Sequence, residues 1–396
     1  MVSKYAKAIR FVIAVACVTA AFQMIRLAYA EYVFREERPD AAELAARVLP
    51  GRADFQARAG NLERAIALNP YYAAAWVELG LRREREGDFG GAEQALRQAA
   101  RVDRTFMPRW TLANYFYRRE NLEEFWRWIR AAAELSYLDR SAVFQLCWRA
   151  SQDSREILTR AIPPRHEVMA AYLSFLVQTG RFEAGKPVAA YLLAHGSSAD
   201  APRLIVYCDL LLSELRDAAT AMGLWNGMIE RGWLPYGVLD PAAGSVVTNG
   251  DFRVAAERAG FGWRRLPGTG VRVVLNPGER RMVVGLDGSQ PEDVEILTQW
   301  VPLEPGGRFA VKVSAESTGI GRDSGLRWQV VDGSSGESIA GSGVDGLGGL
   351  AHFTAPRRSK LGKLVLSYRR VHGTRRIAGT LLVSSVDVRR DPADRP

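Results

Sequence analysis

The sequence predicts a multidomain α plus β chain: an N-terminal transmembrane helix, an α-solenoid of helical hairpins, and a C-terminal antiparallel β-sandwich. Three observations carry that prediction. A basic segment precedes an apolar run at the N-terminus. Apolar residues then recur at helical spacing in paired blocks. Beyond residue 250 the apolar period falls from 3.6 to 2. The spans are 1–35 for the membrane segment, 36–235 for the solenoid, 245–390 for the sandwich and 391–396 for a disordered tail. At 396 residues, two or three domains are expected. Apolar residues make up 47% and charged residues 24%, which sets the chain among globular proteins and apart from disordered ones. The net charge of +9 is dispersed, which fits a membrane surface or an acidic glycan. No basic helix or RNA-binding signature accompanies it, so a nucleic-acid partner is not expected.

Lys4, Lys7 and Arg10 precede an apolar run from Phe11 to Ile25, interrupted only by Thr19 and Gln23. This pattern directs export. Fifteen residues fall short of the roughly 20 that span a bilayer, but the stem of Arg26 can snorkel and lengthen the run. Ala28-x-Ala30 fits a signal-peptidase site. Arg26 beside it, and a helical pattern continuing through Tyr32, Val33 and Phe34, favour an uncleaved anchor. The positive-inside rule then places the chain in the inner membrane, single-pass, with its bulk on the periplasmic side.

The segment from Pro39 to Pro70 reads as a degenerate first helical unit. The next, from Asn69 to Arg104, is sharper. Trp76, Leu79 and Gly80 share one helix face, and Ala92, Leu96 and Ala99 share the other, with a turn at Gly87-Asp88. Small residues at 80 and 92 let the two axes approach. Trp76 recurs as Trp110, and Leu62 and Ala65 as Leu96 and Ala99, all at an offset of 34. A third unit turns at Glu120-Asn121 and continues with Phe125, Trp126, Ile129 and Ala132. It is one residue short, and Trp126 sits where a small side chain is expected. Further helices are predicted over 141–148, 167–179, 186–195, 202–215 and 217–231. Residues 178–184 match the turn at 86–92, which extends the solenoid to about residue 232.

Trp76, Leu79, Gly80, Ala92, Leu96 and Ala99, with the 34-residue recurrence, resemble tetratricopeptide repeat (TPR) proteins. The resemblance implies a TPR-type α-solenoid whose concave face binds a protein partner. The residues it places in that groove are Val77, Leu81 and Glu84 in one unit and Thr111, Tyr115 and Arg118 in the next. A solvated inner face with no ligand is the competing reading.

A Pro- and Gly-rich stretch, Trp233 to Gly250, leads into the strands. Val271, Val273 and Leu275 recur at a period of 2. So do Phe309, Val311 and Val313; Leu326, Trp328 and Val330; and Leu364, Leu366 and Tyr368. Asn249-Gly250-Asp251-Phe252, Phe261-Gly262-Trp263-Arg264, the 299–306 segment and a closing strand from Leu381 to Val388 together resemble bacterial carbohydrate-binding-module-like jelly rolls. That resemblance implies glycan contact. Trp263, Trp300 and Trp328 are the candidate stacking rings. Trp328 shares a face with Leu326 and Val330 and is assigned to the core, and Trp263, beside Arg264, is the expected surface aromatic. Arg357, Arg358, Lys360, Lys363, Arg369, Arg370, Arg375 and Arg376 surround one hairpin. They form either an anion-binding edge, for acidic glycan or phospholipid head groups, or a charged edge that deters aggregation.

Motifs for bond-making chemistry fail on context. Gly180 to Lys186 fits seven places of a phosphate-binding loop, but Pro187 replaces the Mg²⁺-binding hydroxyl, no strand precedes it, and a helix starting at Pro187 explains it better. Gly341-x-Gly343-x-x-Gly346 has no following helix and reads as a flexible loop. His166, His195, His352 and His372 are scattered, so no metal or cofactor is expected, although Asp287, Glu292, Asp293 and Glu295 have the oxygen chemistry of a structural Ca²⁺ site. Cys147 and Cys208 are expected as buried free thiols. The expected function is a non-enzymatic membrane-anchored adaptor, binding protein through the groove and polysaccharide through the jelly roll. By resemblance, its setting is exopolysaccharide or cell-envelope assembly. Two alternatives stand: a polysaccharide hydrolase or lyase with its site in the sandwich, and a jelly roll serving as a ligand-free cap.

Overall fold

A computed structural model describes all residues except 1, 37, 39, 137, 138, 243, 256, 257, 267 and 392–396; the side chains of 2–7 are also outside the description. The tail over 392–396 therefore lies outside the described residues. Asp391, read with that tail, is ordered by its neighbours: its amide donates to the Arg308 carbonyl at 2.8 Å, and its carboxylate meets His352 Nδ1 at 3.0 Å.

Fourteen α-helices come first among the described residues. They are α1 (Val2–Phe34), α2 (Ala41–Val48), α3 (Ala53–Arg58), α4 (Leu62–Leu68), α5 (Ala73–Arg85), α6 (Phe89–Val102), α7 (Phe106–Arg118) and α8 (Leu122–Leu135). Then follow α9 (Ser141–Ala150), α10 (Ser154–Arg160), α11 (His166–Gln178), α12 (Phe182–His195), α13 (Ala201–Ser213) and α14 (Ala218–Glu230). The chain divides into two compact units, 1–168 and 169–396. Helix α10 was not foreseen. Asp153 caps it, accepting from the Arg155 and Glu156 amides at 2.8 and 3.3 Å, and Asp-x-x-Glu is the sequence signal that marks it.

One turn recurs between α3 and α4, α5 and α6, α7 and α8, and α11 and α12. Gly60, Gly87, Glu120 and Gly180 all have left-handed φ, from 56° to 87°. The next residue's amide donates five residues back, as in Asp88 to Arg83 and Asn121 to Phe116, at 2.9 and 3.0 Å. This closure satisfies carbonyls that the helix end would otherwise strand. Asp88 and Asn121 then cap the following helix through the amides of Gly91 and Glu124. Arg181 opens α12 from the turn that residues 178–184 announce. The helix begins at Phe182, however, and not at Pro187, which lies inside it.

The strict period of 34 is corrected. Helices α7 and α8 repeat α5 and α6 at an offset of 33. Leu112 and Ala113 stand in for Leu79 and Gly80, and Phe125, Ile129 and Ala132 for Ala92, Leu96 and Ala99, all buried. Trp76 donates its indole N–H to Pro70 O at 2.8 Å. Arg109, not Trp110, makes the matching contact six residues back, to Asp103 O at 3.2 Å. Leu62 and Ala65, by contrast, keep the offset of 34 to Leu96 and Ala99: α4 and α6 end at Leu68 and Val102, and the amides of Asn69 and Asp103 donate to the Ala65 and Ala99 carbonyls, each at 2.9 Å. Helix α4 has only seven residues, however, and 41–68 folds as three short helices instead of one hairpin. The close approach at Gly80 is present: a Cβ there would lie 2.6 Å from Leu96 Cδ2.

The sandwich comprises β1 (Arg264–Arg265), β2 (Val271–Asn276), β3 (Arg281–Asp287), β4 (Asp293–Pro302) and β5 (Arg308–Thr318), followed by β6 (Leu326–Asp332), β7 (Val344–Asp345), β8 (Gly348–Thr354), β9 (Leu361–Arg369) and β10 (Ala378–Arg390). One antiparallel sheet runs β1-β4-β9-β6-β7 and the other β2-β3-β10-β5-β8. Alternate residues of neighbouring strands, such as Trp328 beside Leu366 and Val330 beside Leu364 on β6 and β9, fill the space between the sheets. Trp263 meets Trp328 edge to face at 6.1 Å, and Phe252, Phe309 and Tyr368 close around them. Truncating one such ring costs about 3–5 kcal/mol. The Gly341–Gly346 segment is not a flexible loop. Ser342 is buried and ties it to β6, accepting from the Val330 amide at 3.0 Å and contacting the Ile339 carbonyl at 2.7 Å.

Candidate functional site

Three surfaces answer to the residues singled out by the sequence. The first is α1. Within Ala8–Phe34, a stretch of 27 residues, an 18-residue window has a mean hydropathy of 2.0 and shows no burial. Phe11, Val18, Met24 and Ile25 are among the exposed side chains. The end of the helix is different. Ala30 is buried against Ala45, Ala46 and Phe55, with the Phe34 ring tilted on Phe55 at 4.5 Å, and Val33 is buried as well. Arg26 donates to the Val48 carbonyl at the end of α2. Arg52 pairs with Glu31 of α1 at 3.1 Å and with Asp54, whose carboxyl that guanidinium holds below its ordinary range.

The second surface is the expected groove. Val77, Leu81 and Glu84 lie half-buried on α5. Thr111 and Tyr115 do not join them. Both are buried, Tyr115 donating its hydroxyl to the Phe89 carbonyl at 2.8 Å. The offset of 33 is the reason: the counterparts of Val77, Leu81 and Glu84 on α7 are Trp110, Asn114 and Tyr117, each half-buried. Arg118 is exposed and clasps Glu84. The tyrosine contact recurs, since Tyr207 of α13 donates to Phe182 O at 2.6 Å, on the first residue of α12. The Gly-x-Phe shared by the two turns marks both places in the sequence, but the match alone does not give the tyrosine partner.

The third surface is the sandwich, where two placements are corrected. Trp263 is 1% exposed and donates to Asn249 O at 3.2 Å, because it packs between the sheets with Phe252. Arg264 points instead at the last helices. It pairs with Asp209 of α13 and donates to Gly260 O at 2.7 Å, and burial pulls its guanidinium down to about 10, still cationic at neutral pH. Trp300 is held between Arg216 and Arg264, with guanidinium-to-ring distances of 5.4 and 5.9 Å. Trp225 of α14 stacks on Tyr236 and meets Phe261, so α13, α14 and the sandwich close into one packed body. All other aromatic rings of the sandwich are buried among the described residues.

The arginine hairpin is exposed at Arg369, Arg370, Arg375 and Arg376. Arg369 pairs with Asp293 at 2.7 Å, Arg370 and Arg376 share Glu292, and Lys363 pairs with Glu295 at 3.0 Å. Asp287 accepts from Ser289 at 2.8 Å. The four carboxylates named for calcium thus each face a separate partner, and no group of three or more metal-ligating side chains occurs among the described residues. A cleft of 870 Å³ is lined by Arg308, Asp332, Glu337 and His352. Burial there opposes ionisation of Asp332, but hydrogen bonds from Ser359 and the Ser335 and Ser334 amides outweigh it and hold the carboxyl below its ordinary range. That is the opposite of what a general acid needs. Cys147 and Cys208 are buried and free, and burial pushes the Cys147 thiol up to about 12.

No family model and no curated protein matches the sequence. Among solved structures, the chain is similar to PilF of Pseudomonas aeruginosa, with 18% identity over 52% of this chain and 92% of that one, and a TM-score of 0.22. It is similar to the C-terminal part of a TPR repeat-containing protein from Cytophaga hutchinsonii, with 15% identity over 52% of this chain and 90% of the other, and a TM-score of 0.22. It is also similar to a CBM4 structure, with 14% identity over 37% of this chain and 99% of that chain, and a TM-score of 0.28.

Proposed function

We propose that this chain is a non-enzymatic adaptor, tethered to a membrane by α1 and holding its helical array and sandwich on the extracytoplasmic side. One observation carries the reading. The apolar helix is bare of protein contacts along most of its length, yet its last two turns are built into the array. A solvent other than water must cover the bare part, and a 27-residue helix holding so apolar a stretch is long enough to cross a bilayer. Ala30, the residue preceding the candidate cleavage point, is fully buried, which supports an uncleaved anchor.

The half-buried row of Val77, Leu81, Trp110, Asn114 and Tyr117 is the face offered to a protein partner. The sandwich offers arginines and no bare ring, so an acidic polysaccharide is the glycan class it fits, and cell-envelope or exopolysaccharide assembly is the process this combination serves.

Site-specific photocrosslinking from Leu81 and Tyr117 in intact cells tests the reading, with Arg101 on α6 as control. Adducts with one protein from the groove positions alone, on chain that resists carbonate extraction, are expected. Carbonate-soluble chain, or equal adducts from Arg101, would overturn it.

A further inference from the structure

The depth at which α1 can sit in a bilayer is fixed by charge at both ends. Arg10 marks one end. Between it and Arg26 lie only fifteen residues, which rise about 22 Å as a helix. A hydrocarbon core of about 30 Å is left short on that account. The helix surface does not turn polar at Arg26, however. Leu27, Tyr29 and Tyr32 remain exposed beyond it, Tyr32 at 65%, and counting from Phe11 to Tyr29 brings the apolar length to about 28 Å. Tyrosines are the side chains that settle at the edge of a bilayer.

Arg26 then lies more than one turn deeper than Tyr32. A bare guanidinium near the bilayer centre costs about 3 kcal/mol on insertion scales. Arg26 is not bare: it is half-buried and donates to the Val48 carbonyl, one of the groups left over at the end of α2. A cation there also suits the negative end of that helix. The contact fixes the end of α2, and Leu49, Pro50 and Gly51 after it, at the level of Arg26.

We infer that the turn after α2, Val48 to Gly51, is set into the head-group layer of the bilayer, so that the first helices of the array are mounted on the membrane. The occupant of this surface is phospholipid, not protein. Pro50 carries exposed apolar surface into the layer, Leu49 backs it from the Ala45–Phe55 core, and Arg47, exposed on the same helix end beside Glu43 at 3.4 Å, reaches its phosphates. The packing of Ala30 and Phe34 on Ala45, Ala46 and Phe55 leaves no slack between anchor and array. This inference rests on the membrane reading of α1 given above.

The test uses the full chain with Cys17→Ala, reconstituted in vesicles of phosphatidylcholine and phosphatidylglycerol. An environment-sensitive fluorophore is placed at Pro50→Cys, or at Glu120→Cys in the turn between α7 and α8. Cys147 and Cys208 are buried and do not compete for label. The fluorophore at 50 is expected to emit blue-shifted, to be quenched by a nitroxide lipid labelled near its head group, and to be shielded from aqueous iodide. The fluorophore at 120 is expected to show the reverse. Arg26→Gln should raise iodide access at 50 without loss of helical circular dichroism, whereas Arg26→Lys should largely preserve the shielding. Chain that floats with vesicles yet shows position 50 as open to iodide as position 120 would overturn the mount alone. Chain that does not float would overturn the membrane reading itself.

Discussion

Arg118 of α7 grips Glu84 of α5 with two hydrogen bonds, Nε to Oε1 at 2.8 Å and Nη2 to Oε2 at 2.7 Å, across 34 residues of sequence. Two successive first helices are thereby stapled at their C-terminal ends, where a cation is favoured. The pair is part-exposed, so Arg118→Ala is expected to cost only about 0.5–1 kcal/mol in urea unfolding. The loss should shrink at high salt. An identical loss at every salt concentration would assign the effect to packing of the arginine stem.

Tyr115 and Tyr207 each hold the opening carbonyl of a second helix, Phe89 and Phe182. Replacing either with phenylalanine keeps the ring and removes this bond, leaving the carbonyl only its intrahelical one, and should cost about 1 kcal/mol. Burial raises both hydroxyls above their ordinary range. With the folded value above the unfolded one, their contribution is complete below about pH 10 and is lost as pH rises beyond it. Denaturation monitored by tyrosine ultraviolet absorbance reads both effects.

Asp54 gives a dependence of opposite sign. The hydrogen bond from Arg52 holds its carboxyl below the ordinary range. Its contribution is therefore complete above about pH 4, the value of an unfolded aspartate, and is lost as pH falls through the folded one. Asp54→Asn should flatten the acid limb of the stability curve and loosen Arg52 from Glu31. Acid titration of both chains by circular dichroism checks it. Parallel acid limbs would remove Asp54 from the account.

Asp209→Ala leaves the guanidinium of Arg264 without its carboxylate in a mostly buried place. For a fully buried pair the cost of breaking it is about 3–5 kcal/mol, and partial exposure brings the expectation here to about 2 kcal/mol. The double change Asp209→Ala with Arg264→Met should recover most of that. Thermal melts of the four chains complete the cycle, and no recovery in the double variant would show that the pair is not the coupling element.

Much of the fold was legible because periodicity reports burial. The stripes of Leu79, Leu96 and Ala99 and the alternation through Phe309, Val311 and Val313 all face cores. Register was less legible. A recurring Trp fixed the offset at 34, while the backbone counts from the left-handed turn residue, and Glu120 occupies that position without the glycine that would have revealed it. One residue of error rotates a helix by about 100°. That rotation put buried Thr111 and Tyr115 in the groove and left out Trp110, Asn114 and Tyr117. Trp263 misled for another reason: Gly262 and Arg264 beside it look like a surface turn. Arg264 is in fact drawn inward by Asp209, 55 residues earlier, and no local pattern encodes a partner at that distance.

With Trp263 and Trp328 locked inside the sandwich and Trp300 flanked by two guanidinium groups, no ring among the described residues of the sandwich is free to lie flat on a pyranose. Under the function proposed above, the saccharide is therefore gripped by charge and polar contact, which gives its recognition a distinct calorimetric character. Its heat-capacity change should be slight, its affinity should fall steeply as electrolyte is added, and a desulfated or carboxyl-reduced polymer should lose it altogether.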